Sequence, residues 1–406
     1  MVIFSGYVSS KRSSGASLTL EGSAGTAMFL EQKVWKLRGP LSGQCQSRDC
    51  GRPHAIIKSR EVVLMKHFAA VLLATFLIVS SAAAQERFTV HPATQDPAIR
   101  VDLAQLAEWE KDLSNWGRWG PDDQIGTLNM ITPEKSVQAA RLVRDGVTVS
   151  LGHFVTLEDV MDSQTFGPTE HWMTSVDPNT GLPRFALDAI SFSLHDGMLS
   201  HLDALCHYRT EIDGEYVIYN GYPQNLDVDG CKDLAIDRMG DGYVTRGVLV
   251  DIPLLRGVDY LEPSTPIFVS DLEEWEEFAG VEVQPGDVLL VRGGRWEKRA
   301  QEGPWAYGQG GAGLHASVLP WLHERGVSLL VGDAVNDVQP SGVDGINRPV
   351  HQLTQVNLGL PLVDNGYLRD VARVARELQR WEFMVSWQIS KVPGGTAAPF
   401  NAIATF

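Results

Sequence analysis

Cysteine is scarce in this chain, four residues in 406, and only Cys206 and Cys231 lie beyond residue 84. Two thiols are too few for a disulfide framework, although they permit one bridge. Positive charge is also in short supply: Lys plus Arg number 34 against 50 Asp plus Glu, a net charge of -16. A surface of that sign excludes nucleic acid as a partner, because phosphate binding needs a basic face. Long apolar runs are missing as well. The stretch Phe68 to Val79 is too short to span a bilayer comfortably, so no stable membrane anchor is expected. Neither an internal repeat nor a low-complexity linker divides residues 85–406, which therefore read as one domain. An apolar content of 44% and a charged content of 21% are those of an ordinary soluble globular chain.

The charge is unevenly spread. Residues 1–84 are basic in balance, and everything after them is correspondingly more acidic than the whole. Met65-Lys66-His67 makes a short basic start, Phe68 to Val79 an apolar core, and Ser80 to Ala84 the small residues of a cleavage site. That order is the signature of a signal peptide over residues 65–84. Residues 1–64, rich in Ser, Gly and Arg, then read as an upstream artefact of the chosen start or a disordered extension. The mature protein is expected to begin near Gln85 and to be exported, periplasmic or extracellular.

Along residues 85–406 the spacing predicts a helix over 101–113, with Leu103, Leu106 and Trp109 on one face. Another starts at Thr132 as cap with Pro133 in the first turn and runs to Gly146. Strands are predicted at 147–155, 188–194, 244–251, 288–292, 327–332 and 383–390, with helices at 270–279, 315–325 and 367–380. Pro285-Gly286-Asp287 is a turn delivering the chain into the 288 strand. Strands alternating with helices indicate an α/β domain with a largely buried sheet.

Chemistry concentrates between residues 193 and 208, where His195, His201, Asp203 and His207 crowd together. An extended backbone points His201 and Asp203 to one face. Imidazole nitrogen with carboxylate oxygen suits Zn²⁺, Mn²⁺ or Fe²⁺. An isolated His/Asp pair is more often a structural couple; four such groups within thirteen residues favour a functional site. Cys206 reads as packing rather than nucleophile, and Asp333, at a strand end, as a carboxylate supporting the site or a turn residue.

These residues resemble the cyclase-like metal-dependent hydrolases, which include kynurenine formamidase and isatin hydrolase. The signature H-x-G-T-H-x-D-x-P-x-H aligns with His201, Asp203 and His207, with Ser200 in place of Thr and Leu205 in place of Pro. Its first histidine falls at Gly197. The sequence is similar to a longer variant, His then Gly before T-H-L-D-A-L-C-H, in which His195 substitutes and Gly197 bends the chain back. Asn115 to Asn129, Tyr219-Asn220-Gly221, Arg246 to Leu249, Pro285-Gly286-Asp287, Gly313-Leu314-His315, Pro349-Val350-His351 and Gly394 to Pro399 follow in the family's order. The resemblance implies a swivelling β/β/α cyclase-like fold with a buried mixed sheet and a homo-oligomer, dimer or tetramer. It also implies His351 and Asp364 as further metal ligands, Asp364 standing near a position usually held by Glu.

The expected reaction is hydrolysis of a small-molecule amide or cyclic amide, formamide- or lactam-type and aromatic, as in an arylformamidase. Water is activated by a divalent metal, Zn²⁺ or Mn²⁺, held by His201, Asp203, His351, His195 and Asp364, with His207 as acid–base group. Trp116 and Trp119 read either as core or as a loop over an aromatic substrate; His315 reads as a helix cap or a pocket wall. The alternatives are a lactone or cyclic ester hydrolase, and a secreted metal- or solute-binding protein without catalysis. A ring-closing cyclase rests on the family's name alone.

Overall fold

In the computed structural model the described residues are 88–406, except 158–159, 163–168, 178 and 182–184. The expected signal peptide and the stretch before it lie outside them. The backbone of the fold is one nine-stranded mixed sheet. In chain order its strands are β1 (Thr148–Ser150), β2 (His201–Asp203), β3 (Tyr243–Asp251), β4 (Val288–Arg292), β5 (Leu329–Gly332), β6 (Leu362–Asp364), β7 (Glu382–Trp387), β8 (Ala397–Pro399) and β9 (Ile403–Thr405). In space they run β1-β9-β7-β3-β4-β5-β6-β2-β8. Strands β3 to β6 are parallel neighbours, and the sheet continues antiparallel on both sides. The parallel centre is rich in Val and Leu, and β4 and β5 are buried throughout, as central parallel strands usually are.

The helices form where the spacing places them. Thr132 caps Pro133–Ala140 through its hydroxyl, which accepts from the Lys135 amide, although this helix stops six residues short of Gly146. Leu368–Leu378 buries Leu368, Val371, Ala372, Val374 and Ala375. Leu103–Asp112 buries only Leu106, and Leu103 is 52% exposed. The predicted strand at 188–194 is real but stands outside the sheet. Asp188–Ser191 pairs with Glu170–Met173 in a hairpin whose side chains are mostly exposed. Among the described residues no helix is long and apolar enough to cross a membrane.

The turn at Pro285-Gly286-Asp287 does more than reverse the chain. Asp287, fully buried, accepts from Lys135 Nζ at 2.6 Å and from the Arg246 guanidinium, which also reaches Glu382 at 2.9 Å. Directly and through Arg246, this carboxylate ties a helix, two strands and a turn together. Cys206 and Cys231 form a disulfide across a sequence separation of 25, fastening the end of the β2 loop to the Gly230–Cys231 strand.

Candidate metal centre

Strand pairing assembles the site. His201 lies opposite Asp364 across the β2–β6 ladder, while Asp203 lies opposite Ala397 on the β2–β8 side. The carboxyl ends of β5 and β6 deliver Asn336, Asp337 and Asp364, the place where open parallel sheets bind ligands. A helix at Pro349–Leu353 brings His351, and a π-helical turn at Thr354–Leu358 brings Gln355. Such π turns are frequent at functional sites.

Asp203 is the hub. Its Oδ1 lies 3.3 Å from His195 Nδ1 and 3.6 Å from His201 Nε2. Its Oδ2 lies 3.9 Å from both His207 Nε2 and His351 Nε2, and accepts from Gln355 Nε2 at 3.0 Å. The His201 Nδ1 meets the Leu199 carbonyl at 2.8 Å, so that nitrogen carries the proton. Its Nε2 then presents a lone pair to a carboxylate oxygen, two acceptors facing one another in a buried place. Asp203 Oδ1 has no hydrogen-bond partner. Buried polar atoms are nearly always satisfied, and a cation between these lone pairs satisfies them at once. Ligand atoms of His195, His201 and Asp203 all fall within 4.8 Å of one another, a spacing one divalent ion can fill.

His351 extends the cluster. Its Nε2 lies 3.3 Å from Asp364 Oδ2, while Nδ1 is held by Asp337. Burial pulls this imidazole's pKa down, but the Asp364 carboxylate, Tyr208 and Asp337 carry it well above the ordinary value. A carboxylate on the far nitrogen of an imidazole is the usual support for a metal-facing one. Asp364 Oδ1 is in turn fixed by the Asn336 amide and side chain.

The floor is buried, with His201 and Asp203 side chains 4% and 1% exposed; the open side is formed by His195 and His207, at 22% and 25%. These two rings stack at 4.0 Å between centroids. Burial lowers the His207 pKa to about 4, against the pull of Asp203, so the ring is neutral at pH 7. His195 Nε2 is tethered to Thr396 Oγ1 at 3.0 Å.

The remaining expectations land elsewhere. Trp116 donates its indole N–H to the Val356 carbonyl at 2.7 Å and packs on Gly221, bracing the π turn from outside. Trp119 is half-buried beneath the Arg118 guanidinium at 4.9 Å. His315 is fully buried against Phe268 and caps the short helix after it by accepting from the Ser317 amide. Asp333 binds the amides of Gly293, Gly294 and Arg295, supporting a neighbouring helix start rather than the histidines. Sequence reasoning missed Asp337, Asn336, Gln355 and Thr396. Gln355 stands one helical turn after His351 and Thr396 lies in the closing Gly-Gly-Thr motif, so both had a signal. Asp337 had none beyond following a strand.

A family model described as "Putative cyclase" matches residues 135–336. A crystal structure of "a novel cyclase" is 29% identical with a TM-score of 0.62, the match covering 73% of this chain and 99% of that one. Isatin hydrolase A from Labrenzia aggregata, bound to benzyl benzoate, is 18% identical with a TM-score of 0.45, covering 66% of this chain and 96% of its own. The Ralstonia solanacearum isatin hydrolase A is likewise 18% identical, at a TM-score of 0.45, covering 63% and 91%. None of the curated protein sequences matches the chain.

Proposed function

This chain belongs to the cyclase family of metal-dependent hydrolases, and from that premise we propose that it cleaves a formamide- or lactam-type C–N bond of an aromatic small molecule, as an arylformamidase does. The observation that carries the reading is the buried, unpartnered Asp203 Oδ1 facing the nitrogens of His195 and His201. His195, His201 and Asp203 would hold a divalent cation, Zn²⁺ or Mn²⁺, with His351 and Asp364 completing its surroundings. When bound, such an ion supplies Lewis-acid polarisation of a carbonyl and lowers the pKa of a water from 15.7 toward about 7.

The chain's own groups do the rest. His207, neutral and on the open side, takes a proton from water at Nε2 as the oxygen bonds to the scissile carbonyl carbon. It returns that proton to the leaving nitrogen as the C–N bond breaks, giving an amine and a carboxylic acid that loses its own proton to solvent. Asp337 holds the His351 ring in one tautomer, Thr396 aims His195, and Gln355 steadies the Asp203 oxygen opposite the orphan. Export to an oxidising compartment is part of the proposal, supported by the Cys206–Cys231 bridge.

Protein reloaded separately with Zn²⁺ and Mn²⁺ should release amine from N-formyl aromatic amides or open isatin-like lactams. Turnover of lactones alone would move the substrate class to cyclic esters. Stoichiometric metal with no turnover across the panel would leave a binding protein. Recovery in the cytosolic fraction with free thiols would remove export.

A further inference from the structure

Arg348 is the residue immediately before the Pro349–Leu353 helix that carries His351. Its backbone is pinned, since the Asn347 carbonyl accepts from Gln339 Nε2 at 2.7 Å and the Arg348 carbonyl accepts from the Gln352 amide at 3.0 Å. The guanidinium lies within electrostatic reach of Tyr208. The Tyr208 ring sits 4.9 Å from His207 and 5.5 Å from His351, centroid to centroid. Both Tyr208 and Arg348 are half-buried, whereas the ligand floor beneath them is closed.

This cation is not spent on an ion pair. Asp337 and Asp364 act on it through space, but their contacting oxygens are taken by His351. Among the described residues no carboxylate reaches the guanidinium at ion-pair distance. Arg348 is therefore a half-buried cation without a carboxylate of its own, next to the helix that carries His351. A planar guanidinium with free N–H groups matches a carboxylate bidentately, and Tyr208 adds a hydroxyl donor beside it.

Resting on the amide-hydrolase reading above, we propose that Arg348 and Tyr208 read a carboxylate on the substrate, adjacent to the scissile amide. The substrate class is then an acidic N-acylated aromatic, its carboxylate clamped at the rim while the amide carbonyl lies over the histidines.

The test compares ligands that differ only in that carboxylate. Calorimetry on the Mn²⁺-loaded protein measures binding of anthranilate against aniline, and kinetics measure N-formylanthranilate against formanilide. Wild type should favour the acidic member of each pair, and Arg348→Gln should lose that preference by tenfold or more while retaining its metal. Arg348→Lys, which keeps the charge but not the fork, should lose part of it and serves if the first variant does not fold. Anthranilate binding that is absent in wild type, or undiminished in both variants, overturns the proposal. Anthranilate binding lost in Arg348→Gln, with neither formamide turned over by wild type, would keep the anion site and sink the amide-hydrolase reading instead.

Discussion

Asp337 holds His351 from three directions: it accepts from the Val350 amide at 2.7 Å, from the His351 amide at 3.2 Å, and bonds the ring at Nδ1. Backbone and imidazole are thus fixed by one carboxylate, and Nε2 is left facing Asp364 and Asp203. Replacing Asp337 by Asn keeps the volume but removes the charge that stabilises the Nδ1 proton. Metal affinity should fall about 10–100-fold, the usual effect of losing such a support. Competition with a chelating dye measures it, and an unchanged dissociation constant would place His351 outside the coordination sphere.

Two neighbouring histidines should fail in different ways. His201→Ala removes a lone pair that faces the orphaned Asp203 oxygen, and metal should be lost outright by elemental analysis. His207→Ala should keep its metal while kcat drops by about 10²–10⁴, the range for a general acid–base group. Metal lost from the second variant would make His207 a ligand.

Much of this site was legible because its first part is local. His201 and Asp203 alternate along one strand, and a strand fixes their common face whatever surrounds it. The parallel centre was legible for a similar reason, since unbroken Val and Leu runs at 288–291 and 329–331 have one comfortable fate. Asp364 and His351 entered only through family resemblance, because no local pattern says which strand will lie beside His201. Asp337 and Gln355 depend on that pairing too, and remained invisible. The hairpin of Glu170–Met173 with Asp188–Ser191 shows the opposite failure: apolar residues over 188–194 predicted one of its strands but carried no information about which sheet it joins.

The ion cluster around Asp287 gives a stability prediction independent of catalysis. Asp287→Ala would leave Lys135 and Arg246 buried without their shared carboxylate, while Glu382 reaches only one of them. Breaking a buried pair by removing one partner costs about 3–5 kcal/mol. Chemical denaturation should register a loss of that size, with metal binding of the remaining folded fraction unaltered. A loss below about 1 kcal/mol would mean that water replaces the carboxylate.

His315 separates a structural cap from a substrate contact by its response to acid. Burial lowers its pKa from 6.5 to about 4, and its Nε2 has no partner. Above the unfolded value the ring is neutral in both states and contributes nothing to the pH dependence. As the pH falls below 6.5 the unfolded chain takes up a proton that the folded one refuses, so stability declines until the pH reaches the folded value. His315→Asn keeps an acceptor for the Ser317 amide and does not titrate. The stability difference between wild type and variant should therefore shift by about 2–3 kcal/mol in the variant's favour between pH 7 and about pH 4.5. Because the ring lies against Phe268, KM should hold steady in the same variant at pH 7. Parallel stability curves would show that the ring already meets solvent when folded, and a raised KM would return it to the pocket wall.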